Sequence, residues 1–383
     1  METLDARRLN RALLERQLLL ERSDRSVPEA VDHLVGLQAQ NVGSPYLALQ
    51  ARLAGFDPAA LAELLVDRRA VRIVVMRSTI HLVLADDCLV LRPLTEPVTV
   101  RGLQGSWGRY LVDLDLAAVA AAGRSLVEER PRTSKELGEE LAARWPDRDP
   151  AALAQVVRAF VPLVQLPPRG VWGQSGVPVL TSAESWLGRA MAAEPSVADV
   201  ALRYLAAFGP AKAADFRSWS GLTGAREVLD GLDLRRFRDE GGAELYDVPD
   251  GPLPDRDVPA PVRYLPDYDN VLLGHDDRSR ILREDLRSGL IGVATVLVDG
   301  FVAGTWRVER AKGSATVVVT PFGRVDRTAR LELVEEGVRV LAMTDPDATP
   351  DVRIEAAGRR LRSPAGPEAR SPGGRSRAAE RRS

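Results

Sequence analysis

Gln38, Ala39 and Gln40, followed by Asn41, are the residues of this chain whose types and spacing best suit chemistry. They fall where a helix gives way to a loop that ends at Ser44-Pro45. In extended backbone, residues two apart point the same way, so the two carboxamides project together while Ala39 turns inward. Paired carboxamides hold donors and acceptors in fixed places, suited to a water or a sugar. The residues alone leave a second reading open, in which Gln38 caps the helix end and Gln40 bonds neighbouring backbone.

Other reactive groups are sparse. The sequence has no phosphate-cradling glycine loop with Lys-Ser/Thr, no G-x-S-x-G elbow and no histidine pair at metal-ligand spacing. With three histidines (His33, His81 and His275), no metal site and no cofactor are expected. Of 52 basic residues only Lys135, Lys212 and Lys312 are lysine, which gives little basis for Schiff-base chemistry. The single cysteine, Cys88, excludes an internal disulfide; beside Asp86 and Asp87 it reads as buried and inert.

The elements around the glutamines follow a pattern. Leu4 to Arg22 has helical composition, and Ser26 with Glu29 forms a capping box that opens a helix through about Leu37. Ser44-Pro45 and Asp57-Pro58 open two more helices, through about Leu53 and Arg68. Two β-rich runs, Val71 to Met76 and Ile80 to Leu84, break at Arg77-Ser78. Helices followed by a hairpin is the order of a winged helix. It recurs with the Thr133/Glu136 capping box, a helix from Pro150 to about Leu163, and a hairpin-like stretch from Gln165 to Trp172. A third copy has helices from Val197 to Phe208 and on to Ser220, then strands around Gly241-Gly242 between Leu234 and Val248. Five prolines between Pro249 and Pro261 mark a boundary. Beyond it, Val293 to Val298, Phe301 to Val308 and Ala315 to Thr320 are β-patterned, with Asp299-Gly300 as a turn and a closing helix from about Thr328 to Ala342.

The chain is therefore expected to be α+β: three tandem winged-helix modules at 1–115, 116–190 and 191–250, then a small β-rich, barrel-like domain at 251–357. Its 383 residues suit several domains, and 45% hydrophobic with 28% charged residues is globular composition. No apolar run approaches a membrane span, so a soluble, cytoplasmic chain with no membrane partner is expected. The net charge of −2 hides an asymmetry: Gly358 to Ser383 carries +6, leaving −8 on the rest. That Arg-rich tail cannot bury anything and is expected to be disordered. An acidic body counts against nucleic-acid binding unless arginines are placed locally.

Five segments carry a resemblance. They are His33-Leu-Val-Gly-Leu-Gln38-Ala-Gln40, Met76-Arg-Ser-Thr-Ile-His81-Leu-Val, Leu166-Pro-Pro-Arg-Gly-Val-Trp-Gly173, Leu265-Pro-Asp-Tyr-Asp-Asn-Val-Leu-Leu-Gly-His275-Asp-Asp-Arg278 and Val298-Asp-Gly-Phe-Val-Ala-Gly-Thr-Trp-Arg307. In this order, over about residues 5 to 355, they resemble the bacterial winged-helix family of AlkZ-type (azinomycin-resistance) DNA glycosylases. The family divides between Gln-x-Gln and Gln-x-Asp members, and this chain is similar to the former. The resemblance implies three winged helices around a DNA channel, a β-domain whose hairpin enters the duplex, and Gln38 and Gln40 as catalytic residues. It further implies a monomer that acts on double-stranded DNA carrying N7-alkylated purines, in repair or in self-resistance to DNA-alkylating natural products.

That role suits the residues. An N7-alkylated purine is cationic, so its glycosidic bond is weakened and its leaving group needs no acid; what remains is to place a water and stabilise an oxocarbenium-like sugar. His81, Arg169, His275 and Arg278 are the expected DNA contacts, each with a plain alternative. His81 is equally suited to packing beneath a wing, His275 shares that ambiguity, and the two arginines suit a solvated surface equally well. Trp172, Trp219 and Trp306 read as core. The competing function is a noncatalytic winged-helix transcriptional regulator, although regulators typically carry one wing per subunit and dimerise; a third is a protein-interaction scaffold.

Overall fold

The computed structural model describes residues 1–283, 286 and 290–357; the Arg-rich tail at 358–383 lies outside the described residues. A two-residue strand β1 (Thr3–Leu4) and helix α1 (Ala6–Arg16) come first. Then follow α2 (Val27–His33), the short strand β2 (Leu37–Gln38), α3 (Ser44–Arg52), α4 (Pro58–Val66) and a hairpin of β3 (Ala70–Val74) and β4 (Ile80–Leu84). Helices α5 (Ala85–Trp107) and α6 (Leu116–Glu129) lead to β5 (Arg132–Thr133), α7 (Ser134–Ala142), α8 (Pro150–Phe160), β6 (Leu163–Gln165) and β7 (Val179–Ser182). After α9 (Ala183–Leu187) come α10 (Val197–Phe208), α11 (Ala213–Ser220), α12 (Ala225–Asp230), β8 (Arg235–Asp239) and β9 (Glu244–Asp247). Among the described residues, the order helix, short extended segment, two helices, hairpin thus occurs three times. Each time the short segment lies against the hairpin's second strand: β2 on β4, β5 on β7, and Ala211 bridged to Tyr246 of β9.

Local chemistry sets most of these ends. Both expected capping boxes form, with Glu29 and Glu136 reaching back to the Ser26 and Thr133 amides. Asp57 and Asp149 cap α4 and α8 ahead of a proline at the first helical position. One hairpin differs from expectation: the stretch from Gln165 to Trp172 is not a hairpin, since the strand after β6 is β7 and the intervening residues form a long loop around Pro167 and Pro168. Proline has no amide to give a ladder, so the chain returns only at Val179.

Helix α5 keeps its course through Pro93 and Pro97. Pro93 cannot donate to the Leu89 carbonyl, and Ala192 N–H supplies that bond instead at 2.9 Å. Strand β3 pairs with both β4 and β6, so the first two hairpins fuse into a six-stranded sheet of order β2-β4-β3-β6-β7-β5. Helix α1 is tied to later parts of the chain. Its Arg16 makes a buried pair with Asp247 at 2.5 Å, and Asn10 donates to the Gly300 carbonyl at 2.7 Å. The last region holds β10 (Arg263–Leu265), α13 (Asn270–Leu273), β11 (Thr295–Val298), β12 (Phe301–Ala311), β13 (Ser314–Pro321), α14 (Arg327–Thr344) and β14 (Thr349–Ile354). Its five strands lie in sequence order, antiparallel except for β13 with β14, and α14 covers a core that includes Trp306 and Val317. Asp299 and Gly300 both take positive φ, 48° and 80°, as a two-residue turn of the favoured hand requires. The result is a mixed α+β fold.

Candidate active site around Gln38 and Gln40

Gln38 sits on β2, the edge strand of the six-stranded sheet, directly opposite His81 of β4. The turn before it needs Gly36, at φ 84°, where a Cβ would stand 2.7 Å from a Val83 methyl. Helix α2 ends before this point, so Gln38 does not cap it; the capping alternative fails because the chain has already entered the sheet. The two glutamines also differ in environment. Gln38 is 6% exposed and Gln40 is exposed, because strand pairing ends at Gln38 and Gln40 lies in the loop.

Ala39, between them, is fully buried and has both backbone groups fixed. Its amide donates to the Ile80 carbonyl at 2.8 Å, and its carbonyl accepts from Arg72 Nη2 at 2.7 Å. Arg72 is buried; burial, and then the charge of Arg169, lower its guanidinium to about 10, still a cation at neutral pH. The loop after Gln40 is held from the last region of the chain, where Asp267 accepts from Asn41 Nδ2 and, at 2.5 Å, from Ser44 Oγ. Two residues on, Asp269 makes a buried bidentate pair with Arg52 at the end of α3, and Asn270 donates to the Gly36 carbonyl at 2.9 Å. Both sides of the glutamine segment are therefore fixed by one loop.

Arg77 organises the centre. It occupies the tight turn between β3 and β4 with φ 55°, and Ser78 follows at φ 57°. Its Nη2 lies 2.8 Å from Gln38 Oε1 and 3.3 Å from His81 Nε2, while Nη1 donates to the Trp219 carbonyl of α11 at 2.6 Å. Enclosure of the guanidinium, then the charge of Arg278, lower Arg77 to about 10, so it also stays cationic. Burial, reinforced by Arg77, drives the His81 imidazole down to about 3 and keeps it neutral.

The sequence-predicted residues separate. Gln38, Gln40 and His81 come together, but His81 is 2% exposed beneath Arg77 and does not reach a surface phosphate. Arg278 is half-buried near Arg77, and Arg169 is half-buried near Arg72, bonded to the Gly176 carbonyl at 3.1 Å. His275, expected as a DNA contact, is enclosed in the core. It is 2% exposed, packs edge-on against Phe208 and donates through Nε2 to the Phe208 carbonyl at 3.0 Å; burial pushes its pKa well down. Trp219 and Trp306 are core as expected, Trp172 is half-buried against Tyr46, and Cys88 is buried with its thiol pushed up to about 12. Arg72, Arg77 and Asp267 were not singled out by sequence reasoning. The break at Arg77-Ser78 was the available signal for one of them.

Charge around this centre is uncompensated. Arg77, Arg101, Arg158 and Arg169 each donate to a backbone carbonyl (Trp219, Gly221, Ser78 and Gly176), and none of the four pairs with a carboxylate among the described residues. A neutral partner leaves each guanidinium's full charge in place, which favours a polyanion. A cleft of about 760 Å³ opens elsewhere, between α4, Trp172 and α14, and includes none of these residues. The exposed Gln40 suits a large substrate better than an enclosed one.

Comparisons agree with this architecture. A search of curated proteins gave no match. The fold is similar to that of the Streptomyces sahachiroi DNA glycosylase AlkZ, with a TM-score of 0.73 and 22% sequence identity over 92% of this chain and 100% of that one. The family model described as DNA glycosylase AlkZ-like matches residues 31–343, a span that contains the whole Gln38 site and the Asp267 loop that holds it. This chain belongs to the AlkZ-like family of DNA glycosylases.

Proposed function

We propose that this glycosylase hydrolyses the N-glycosidic bond of N7-alkylated purines in double-stranded DNA, in repair of or self-resistance to DNA-alkylating natural products. Gln38 and Gln40 are its catalytic residues, and the three recurrences of helix, short strand, helices and hairpin act as winged helices of a cytoplasmic monomer. One observation carries this reading: the best-held polar group at the site is a neutral carboxamide, bonded to a cation and not to an acid or base. The nearby Asp267 has both oxygens engaged by Asn41 and Ser44. Among the described residues this site shows no strong general acid for a neutral leaving group, so it suits a base whose departure is already driven by its own positive charge.

Covalent catalysis by lysine has no support in the arrangement. Lys212 pairs with Asp239 at 2.7 Å, Lys135 lies on α7, and Lys312 sits at the tip of the β12–β13 hairpin. The test is incubation with duplex DNA carrying N7-methylguanine, and with cross-linked duplex, followed by alkaline cleavage. Strand breaks at the lesion, with no borohydride-trapped protein–DNA complex, are expected. A trapped complex, or intact strands with N7-methylguanine, would contradict it.

A further inference from the structure

We propose that Arg77 gives the two glutamines different chemical roles: it holds Gln38 as a hydrogen-bond donor to the attacking water and so leaves Gln40 as the acceptor. This rests on the reading that both glutamines act in excision. The argument begins with which atoms can face one another. A guanidinium only donates, so the Gln38 atom 2.8 Å from Arg77 Nη2 is the carbonyl oxygen. His81 Nδ1 lies 3.0 Å from the Thr79 carbonyl, which only accepts, so Nδ1 carries the ring proton. With the ring neutral, Nε2 presents its lone pair to the same Arg77 nitrogen at 3.3 Å.

The two hydrogens of Nη2 are thereby assigned to Gln38 and His81, and Nη1 is assigned to Trp219. Turning the Gln38 amide over would set its NH2 against a guanidinium N–H and leave both donors unpaired in a nearly closed site. The amide therefore has one stable orientation, with its NH2 directed away from Arg77. Polarisation by a cation on its carbonyl strengthens that NH2 as a donor.

The anchor itself is held at some cost. Arg77 and Ser78 are consecutive non-glycine residues in the left-handed region, a conformation that persists only where surroundings enforce it. Arg158 does so by donating to the Ser78 carbonyl at 3.2 Å. Gln40, in contrast, is exposed and free to turn its carbonyl toward a ligand.

The division of labour completes a balanced step. The Gln38 NH2 donates to the oxygen of the attacking water, and one water O–H points at Gln40 Oε1. As that oxygen bonds to C1′, the C1′–N9 bond breaks and its electron pair enters the purine ring, cancelling the positive charge of the alkylated base. The water's proton passes by way of Gln40 to solvent, leaving a neutral alkylpurine and an abasic sugar.

The experiment compares single-turnover excision of N7-methylguanine by wild type, Gln38→Ala, Gln38→Glu, Gln40→Glu and Arg77→Met, with DNA affinity and melting temperature measured for each. Gln38→Glu keeps shape and binds Arg77 but removes the donor, so its rate should fall about a hundredfold, to the level of Gln38→Ala. Gln40→Glu keeps an acceptor and should exceed Gln38→Glu by at least about tenfold. Arg77→Met should slow excision roughly ten- to a hundredfold with little change in DNA affinity, and should add no further loss in the Gln38→Ala background. A Gln38→Glu rate near wild type, or an Arg77→Met loss that is the same in both backgrounds, overturns the assignment. Where Arg77→Met does not fold, the two glutamate variants decide it, since they leave Arg77 intact. A wild-type rate in Gln38→Ala would instead overturn the catalytic reading of the glutamines themselves.

Discussion

His81 contributes to this site by remaining neutral, which makes the protein's stability depend on acid. Its folded pKa lies near 3 against an ordinary value of 6.5. The unfolded chain therefore takes up a proton that the folded one refuses. Stability is full above about pH 6.5 and is lost as pH falls toward 3, at up to about 1.4 kcal/mol per pH unit for this one group. His33 and His275 are depressed in the same direction and add to the slope. Replacing His81 with Asn should make the loss between pH 6.5 and 5 shallower by up to about 2 kcal/mol, read from urea midpoints. Identical slopes for the two proteins would mean that His81 is charged in the folded state. The same neutrality lets its Nε2 accept from Arg77, so acid sensitivity and the placing of Gln38 share one cause.

The elements that position the glutamines meet at the turn before β2. An alanine at Gly36 must adopt φ near +84° and crowd both Val83 and the Leu82 carbonyl. Gly36→Ala should cost about 1–3 kcal/mol of stability and slow excision by disturbing the pairing of Gln38 with His81. A variant of unchanged melting temperature would show that the turn relaxes freely. Much of this neighbourhood was legible in sequence because its signals are local. The capping boxes at Ser26 and Thr133, the Pro-initiated helices and the Asp299-Gly300 turn depend on residues a few positions apart. What was illegible depends on distant partners. Pro93 argues against α5, yet the orphaned Leu89 carbonyl there is taken by Ala192. The return strand at Val179 was misplaced because a long loop separates it from β6. Gln38 and Gln40 stood out by type, yet Arg72, Arg77 and Asp267 act through residues in other elements, and only the strand break at Arg77-Ser78 marks one of them in sequence. His275 misled because a motif histidine looks alike whether it faces solvent or Phe208.

Over the whole molecule, the acidic residues 1–357 and a polyanionic substrate are reconciled by local placement. Arg101, Arg158 and Arg169 around the site bond to backbone carbonyls and keep their charge, so duplex binding should release counterions despite the net charge of −2. With about three phosphate contacts, log K should fall against log salt with a slope near −2.7. A flat salt response would show that these arginines do not meet DNA. The central claim, that this chain releases N7-alkylpurines through two neutral amides, is tested most directly by single-turnover excision of N7-methylguanine by Gln38→Ala and Gln40→Ala. Loss of one positioned donor or acceptor costs about 2–4 kcal/mol, so each rate should drop roughly a hundredfold or more. DNA affinity should stay nearly unchanged, and the double variant should lose less than the sum, because both side chains address one water. Excision at the wild-type rate per folded molecule by both variants, with melting temperature alone reduced, would contradict the account.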